Sequence, residues 1–196
     1  MGELACACSA RHLDTAKGFA PPEAGEHYSP DLRIEPVHIR IEVAIDIPGR
    51  SLHVQLGLRA KARSAGVKSL ALDGVDLREV RAPGYAGQLA YDGKTLWLTW
   101  PEPFAAGEER EVALQYRVER PITGVSFSAP RPDYPSAPTF AVTDHETERA
   151  RYWLTTIDHP SVRPTLELSL RADARFTLLA NGARVGEELH PDGTKT

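Results

Sequence analysis

The chain of 196 residues has few cysteines, a single methionine, no concentrated run of basic residues and no long apolar run. A helix that spans a bilayer needs about 18–20 consecutive apolar residues, and nothing here approaches that length, so no membrane partner is expected. The two cysteines, Cys6 and Cys8, both lie near the N-terminus. A disulfide across one intervening residue is strained, and a closed zinc site needs about four ligands. His12 is nearby, but no second cysteine pair completes a site, so the two are read as reduced thiols. Lys and Arg total 23 against 27 Asp and Glu, a net charge of -4, without clustering. That balance argues against a nucleic-acid partner. The opening M-G-E-L-A-C-A-C lacks the basic-then-apolar order of a secretory signal, and the resulting expectation is a cytoplasmic protein. The zinc-peptidase motif H-E-x-x-H is also missing. The nearest approach, His145-Glu146-Thr147-Glu148-Arg149, puts a cationic guanidinium where the second His belongs, and a guanidinium does not coordinate zinc. Helical periodicity is missing too, with Glu146 to Leu154 offering one turn at most.

What the chain does have is alternation. Val37, Ile39, Ile41, Val43, Ile45 and Ile47 alternate with polar residues or Ala, a period of 2 that marks a strand with one dry face. Pro48-Gly49-Arg50 turns the chain, and Leu52, Val54, Leu56 and Leu58 alternate again, predicting a long antiparallel hairpin. Short strands are expected around Leu70–Leu72, Val75–Val80, Leu89–Tyr91, Leu96–Trp100, Val112–Val118, Phe140–Thr143, Leu166–Leu170 and Phe176–Leu179. Asp92-Gly93 suits a tight turn because both residues tolerate positive φ. Gly124 to Pro138, with four prolines, is expected to be irregular. Asp192-Gly193 reads as a closing turn with nothing after it. The pattern predicts an all-β fold of about ten strands, an antiparallel β-sandwich or large curved sheet. Residues 1–35, broken by Pro21-Pro22, Gly25 and Ser29-Pro30, read as an irregular extension with Leu4, Leu13, Phe19 and Tyr28 available to pin it. Residues 36–196 read as the β domain.

Polar chemistry concentrates in one stretch, Thr143 to Leu166. Asp144, His145, Glu146, Glu148, Arg149 and Arg151 fall within eight positions, followed by Tyr152, Trp153, Leu154, Ile157 and then Asp158-His159-Pro160. Ionisable groups packed beside large apolar ones line clefts and domain boundaries, although a solvated loop with surface ion pairs has the same composition.

These residues resemble the N-terminal domain of the aminopeptidase N family of zinc metallopeptidases. That family includes the leukotriene hydrolases and a TATA-binding-protein-associated factor that kept the fold. Its T-Q-x-E-x-x-x-A-R run, aromatic patch, D-x-P and following basic residue are matched by Thr143-Asp144-His145-Glu146, Ala150-Arg151, Tyr152-Trp153, Asp158-His159-Pro160 and Arg163. Phe176 to Gly182 resembles the family's L-L-S-N-G segment, His38 to Ile47 its opening strands, and Gly124 stands where it has G-F-Y. The resemblance implies a saddle-like β domain ahead of a catalytic domain that carries zinc, G-x-M-E-N and H-E-x-x-H, none of which this sequence contains. It implies no catalytic residue, metal ligand or cofactor in this chain, zinc in the parent, and the C-terminal catalytic domain and a peptide substrate as partners. It further implies that Asp144 and Glu146 contact the substrate N-terminus.

Asp144 stands in place of the family's Gln, a charged acceptor one carbon shorter, and Thr155-Thr156 replace the commoner Pro-Cys. The residues leave other roles open. Asp144 can pair with Arg149 or Arg151, Glu146 with Arg151, and Asp158 can tie down the turn at Pro160. Three function classes stay open with them. One is the cleft wall of a zinc aminopeptidase. The second is a scaffold domain of a catalytically inactive relative. The third is a freestanding binding module using Trp97, Trp100 and Trp153 as a stacking platform.

Overall fold

A computed structural model describes residues 30–196. The extension expected over 1–35, including Cys6, Cys8 and its apolar pins, therefore lies almost wholly outside the described residues. Asp31–Thr196 is one compact unit. Its strands are β1 (Ile34–Asp46), β2 (Ser51–Ala62), β3 (Ser69–Asp73), β4 (Arg78–Arg81), β5 (Gln88–Tyr91), β6 (Thr95–Thr99), β7 (Glu109–Glu119), β8 (Val125–Ser128), β9 (Phe140–Thr143), β10 (Thr165–Asp173) and β11 (Thr194–Lys195). Among the described residues a 3₁₀ turn, Ala150–Tyr152, interrupts the all-β pattern. Among the described residues no helix is long and apolar enough to cross a membrane.

Six strands form one sheet in the order β11-β10-β1-β2-β7-β4, three form a second as β3-β6-β5, and β8 pairs with β9 alone. The period-2 pattern explains the layering. Ile41, Leu56 and Leu114 sit side by side across β1, β2 and β7, as do Val43, Val54 and Tyr116. All six are buried, and they share a core with Leu70, Leu72, Leu96 and Leu98 of the smaller sheet. Each such side chain withdrawn from water contributes about 1.5–3 kcal/mol. Trp100 packs edge-on between Tyr85 and Phe104, with ring centroids 5.6 and 4.9 Å away. At Pro36, which has no N–H for the ladder, the β1–β2 register shifts by one residue before His38.

The architecture departs from the sequence reading in four places. β10 runs parallel to β1, His38 opposite Thr165 through Ala44 opposite Arg171, whereas the sequence pattern predicts an antiparallel fold. The proline-rich stretch after Gly124 is not wholly irregular, because β8 lies within it and pairs with β9. The strand expected at Phe176–Leu179 is absent: Leu179 is 84% exposed, with no layer of the described domain to cover it. The chain continues past Asp192-Gly193 into β11, which pairs with the end of β10.

Candidate functional site

The charged stretch after β9 divides into a part built into the domain and a part that faces solvent. Arg151 is the centre of the first. Its Nε and its backbone N–H both donate to Asp158 Oδ2, at 3.0 and 3.1 Å, and its Nη2 donates to the Asp158 carbonyl at 3.1 Å. Its Nη1 lies 3.5 Å from Asp73 Oδ1, and its Nη2 lies 3.7 Å from Glu148. Partial burial works against the guanidinium charge. The Asp158 hydrogen bond and the charges of Asp73, Asp158 and Glu148 outweigh it, and the group is held above its ordinary pKa.

Asp73 also receives the Asp158 N–H on Oδ2 at 2.9 Å. Its own backbone exchanges hydrogen bonds with Thr156, at 2.7 and 3.2 Å. Asp158 therefore clasps Arg151 and the end of β3. The turn at Pro160 is held instead by its neighbours: Ser161 N–H donates to His159 Nδ1 at 3.2 Å, and Arg163 Nε donates to the Pro160 carbonyl at 3.2 Å.

Below this clasp lies a second, uncharged one. Thr155 is fully buried, and its hydroxyl donates to the Asp73 carbonyl at 3.0 Å. Its N–H donates to Tyr116 Oη at 3.2 Å, while that phenol donates to the Trp153 carbonyl at 3.0 Å. Burial pushes the Tyr116 hydroxyl well above its usual pKa, so it stays a neutral donor. The threonines in the place of Pro-Cys thus bond the stretch to β3 and β7.

The outward part begins where β9 ends. Asp144 N–H donates to the Gly124 carbonyl at 3.1 Å, adding one rung beyond the β8–β9 ladder. The Asp144 carboxylate is 67% exposed, accepts from the Glu146 N–H at 3.2 Å and lies 3.5 Å from Arg149 Nη1. An exposed pair at that distance is worth about 0–1 kcal/mol. Glu146 is exposed, and among the described residues its carboxylate makes no ion pair with Arg151, whose partners are Asp73, Glu148 and Asp158. Between them His145 Nε2 accepts a hydrogen bond from Trp153 Nε1 at 2.8 Å.

Gly124 fixes the approach to this loop: its φ is +79°, and a Cβ there would lie 2.3 Å from the Arg149 carbonyl oxygen. Glycine alone fits both conditions. Along β9 the apolar residues Phe140 and Val142 are exposed beside Asp144, as is Ile122 ahead of β8.

Sequence reading singled out Asp144 and Glu146, which the fold brings together on one exposed loop. It missed the part played by Asp73, which reads as a turn residue ahead of Gly74, and by Tyr116, which reads as one more apolar position in an alternating strand. Of the proposed platform, Trp100 and Trp153 are buried in the core, and only Trp97 reaches solvent. A stacking surface of three indoles is therefore excluded.

Residues 35–196 match the Peptidase M1 N-terminal domain family. Solved structures share the fold. The M1 zinc metallopeptidase from Deinococcus radiodurans superposes with a TM-score of 0.66 at 20% identity, covering 83% of this chain and 37% of that one. A mutant of the M1 zinc metallopeptidase from the same organism, bound to a Tyr-Ser-Ala substrate, gives 0.66 at 21%, covering 83% and 38%. A two-domain M1 zinc metallopeptidase mutant bound to L-tryptophan gives 0.66 at 20%, with the same coverage. This chain thus spans less than two-fifths of the length of these proteins. No curated protein matches. With the family matched over most of its length, the chain belongs to the M1 peptidase N-terminal domain family.

Proposed function

We propose that this chain is the non-catalytic N-terminal domain of a zinc aminopeptidase, and that it forms one wall of the substrate cleft. The observation that carries the reading is the exposed loop on which Asp144 and Glu146 stand clear of the Arg151 clasp that fixes the stretch. Two carboxylates there suit a substrate α-ammonium, whose N–H groups donate charge-assisted hydrogen bonds to them. Asp144 replaces a neutral amide with a charge and trades reach for electrostatic attraction. Its bond with Arg149 is loose enough to yield to a substrate amine.

Among the described residues no group of three or more His, Cys, Asp or Glu side chains is arranged to hold a metal. In this reading zinc belongs to a catalytic domain elsewhere in the polypeptide. The chain's own contribution is binding and orientation: it holds the amine end so that the first peptide bond is presented to the partner domain. The exposed Phe140 and Val142 of β9 give that partner an apolar surface to cover.

The decisive experiment is to read the coding sequence past Thr196 and to assay the full polypeptide with aminoacyl chromogenic substrates. A downstream H-E-x-x-H and hydrolysis of free-amine substrates are the expected results, and a parent with neither defeats the peptidase reading. The departure of Asp144 from the family's Gln favours a second reading, a scaffold domain of an inactive relative. The same assay separates the two.

A further inference from the structure

The run that carries Asp144 and Glu146 has few ties to the rest of the domain. Its backbone is anchored by the Asp144 N–H to Gly124 bond, while the Glu146 N–H to Asp144 and Arg149 N–H to His145 bonds close within the loop itself. Glu148 holds a φ of +54°, a left-handed conformation that a non-glycine residue adopts at a cost. Such a loop does not hold its shape by local preference. Among the described residues, one side chain of the Asp144–Glu146 run bonds to the body of the domain, and it is His145. Its Nε2 lies 2.8 Å from the indole nitrogen of Trp153, a residue of the hydrophobic core. The two rings are 5.7 Å apart between centroids and tilted by 31°.

An indole N–H donates and never accepts. His145 Nε2 is therefore the acceptor, and the ring is the neutral tautomer with its proton on Nδ1. Phenylalanine at this position has the ring without the lone pair, whereas a glutamine amide oxygen reaches about as far as Nε2.

We infer that His145 is a positioning residue: by accepting the Trp153 indole N–H it holds the Asp144–Glu146 loop to the core and keeps both carboxylates presented, without itself touching a ligand. The consequence for substrate rests on the reading of Asp144 and Glu146 as amine contacts; the tether does not.

The test compares His145→Phe with His145→Gln in this chain by hydrogen exchange and ¹H–¹⁵N spectra, with the exposed Trp97 indole as internal reference. His145→Phe speeds exchange of the Trp153 indole N–H by about tenfold and raises backbone exchange at Glu146–Glu148, and His145→Gln restores both toward the parent. Trp153→Phe removes the donor from the other side, gives the same loosening of the loop, and serves as the second arm should the His145→Phe variant fold poorly. In the full polypeptide, KM for an aminoacyl substrate rises in His145→Phe and recovers in His145→Gln. An unchanged KM with the exchange behaviour as stated sinks the amine-contact reading and leaves the tether standing. A Trp153 indole that stays protected in His145→Phe, or a His145→Gln variant as loose as His145→Phe, overturns the inference.

Discussion

Arg151 and Asp144 lie on the same short stretch, and the fold treats them in opposite ways. Arg151 is drawn in and given Asp158, Asp73 and Glu148; its nearest carboxylate, Asp158, is only 12% exposed. Asp144 is left outside with one loose cation and its neighbour's N–H. The difference shows that a dense run of charge is not one site. Charges that close a network joining three segments act on stability, and those left over at the exposed end are free to meet a ligand.

The largest expected effect is on the inward side. Arg151→Ala strands Asp158 and Asp73 without their cation and should cost about 3 kcal/mol in chemical denaturation, reduced from a fully buried case by partial exposure. Next comes Gly124→Ala, which meets both a positive φ and the Arg149 carbonyl. A loss of about 2 kcal/mol is expected, with the β8–β9 amides exchanging fastest. Thr155→Val keeps the shape and removes the hydroxyl bond to Asp73, for about 1 kcal/mol.

A smaller effect concerns another exposed carboxylate. Hydrogen bonds from the Thr194 hydroxyl and N–H, with the Arg171 guanidinium after them, hold Asp192 down to about 2 from an ordinary 3.8. A depressed carboxylate stabilises the fold above its unfolded pKa and loses that contribution as pH falls through the folded one. The β11 amides should therefore stay protected above about pH 4 and loosen as pH falls toward 2. β11 amides that exchange equally at both ends of that range would separate the turn from Asp192. Smallest of all, Asp144→Asn and Glu146→Gln should each change stability by no more than about 0.5 kcal/mol.

The β1–β2 hairpin was legible because strict alternation tells which side chains face inward, and two long runs joined by Pro48-Gly49 have one simple way to pair. Alternation does not name a distant partner. β10 carries the same signal, yet it seats parallel to β1, a strand more than a hundred residues earlier that alternation does not single out as its partner. Phe176 and Leu178 look like the dry face of a strand by the same rule and are half-buried, but their backbone joins no sheet, and the adjacent Leu179 is left in solvent. The candidate pair came from the resemblance of the Thr143–Arg151 run to the family's motif; the charged composition alone fits a solvated loop with surface ion pairs equally well. The partners of Arg151 were not, because Asp73 reaches it across the fold, from the end of β3. His145 gave no signal either: its role depends on the lone pair it offers to an indole eight residues away.

The central claim is that Asp144 and Glu146 serve a ligand while Arg151 serves the fold. The measurement that tests it most directly is the KM of the full polypeptide for a free-amine substrate, taken with its melting temperature, in Glu146→Gln. The account predicts KM raised by about tenfold or more with melting unchanged. An unchanged KM, or a loss of activity that only follows a loss of stability, would contradict it.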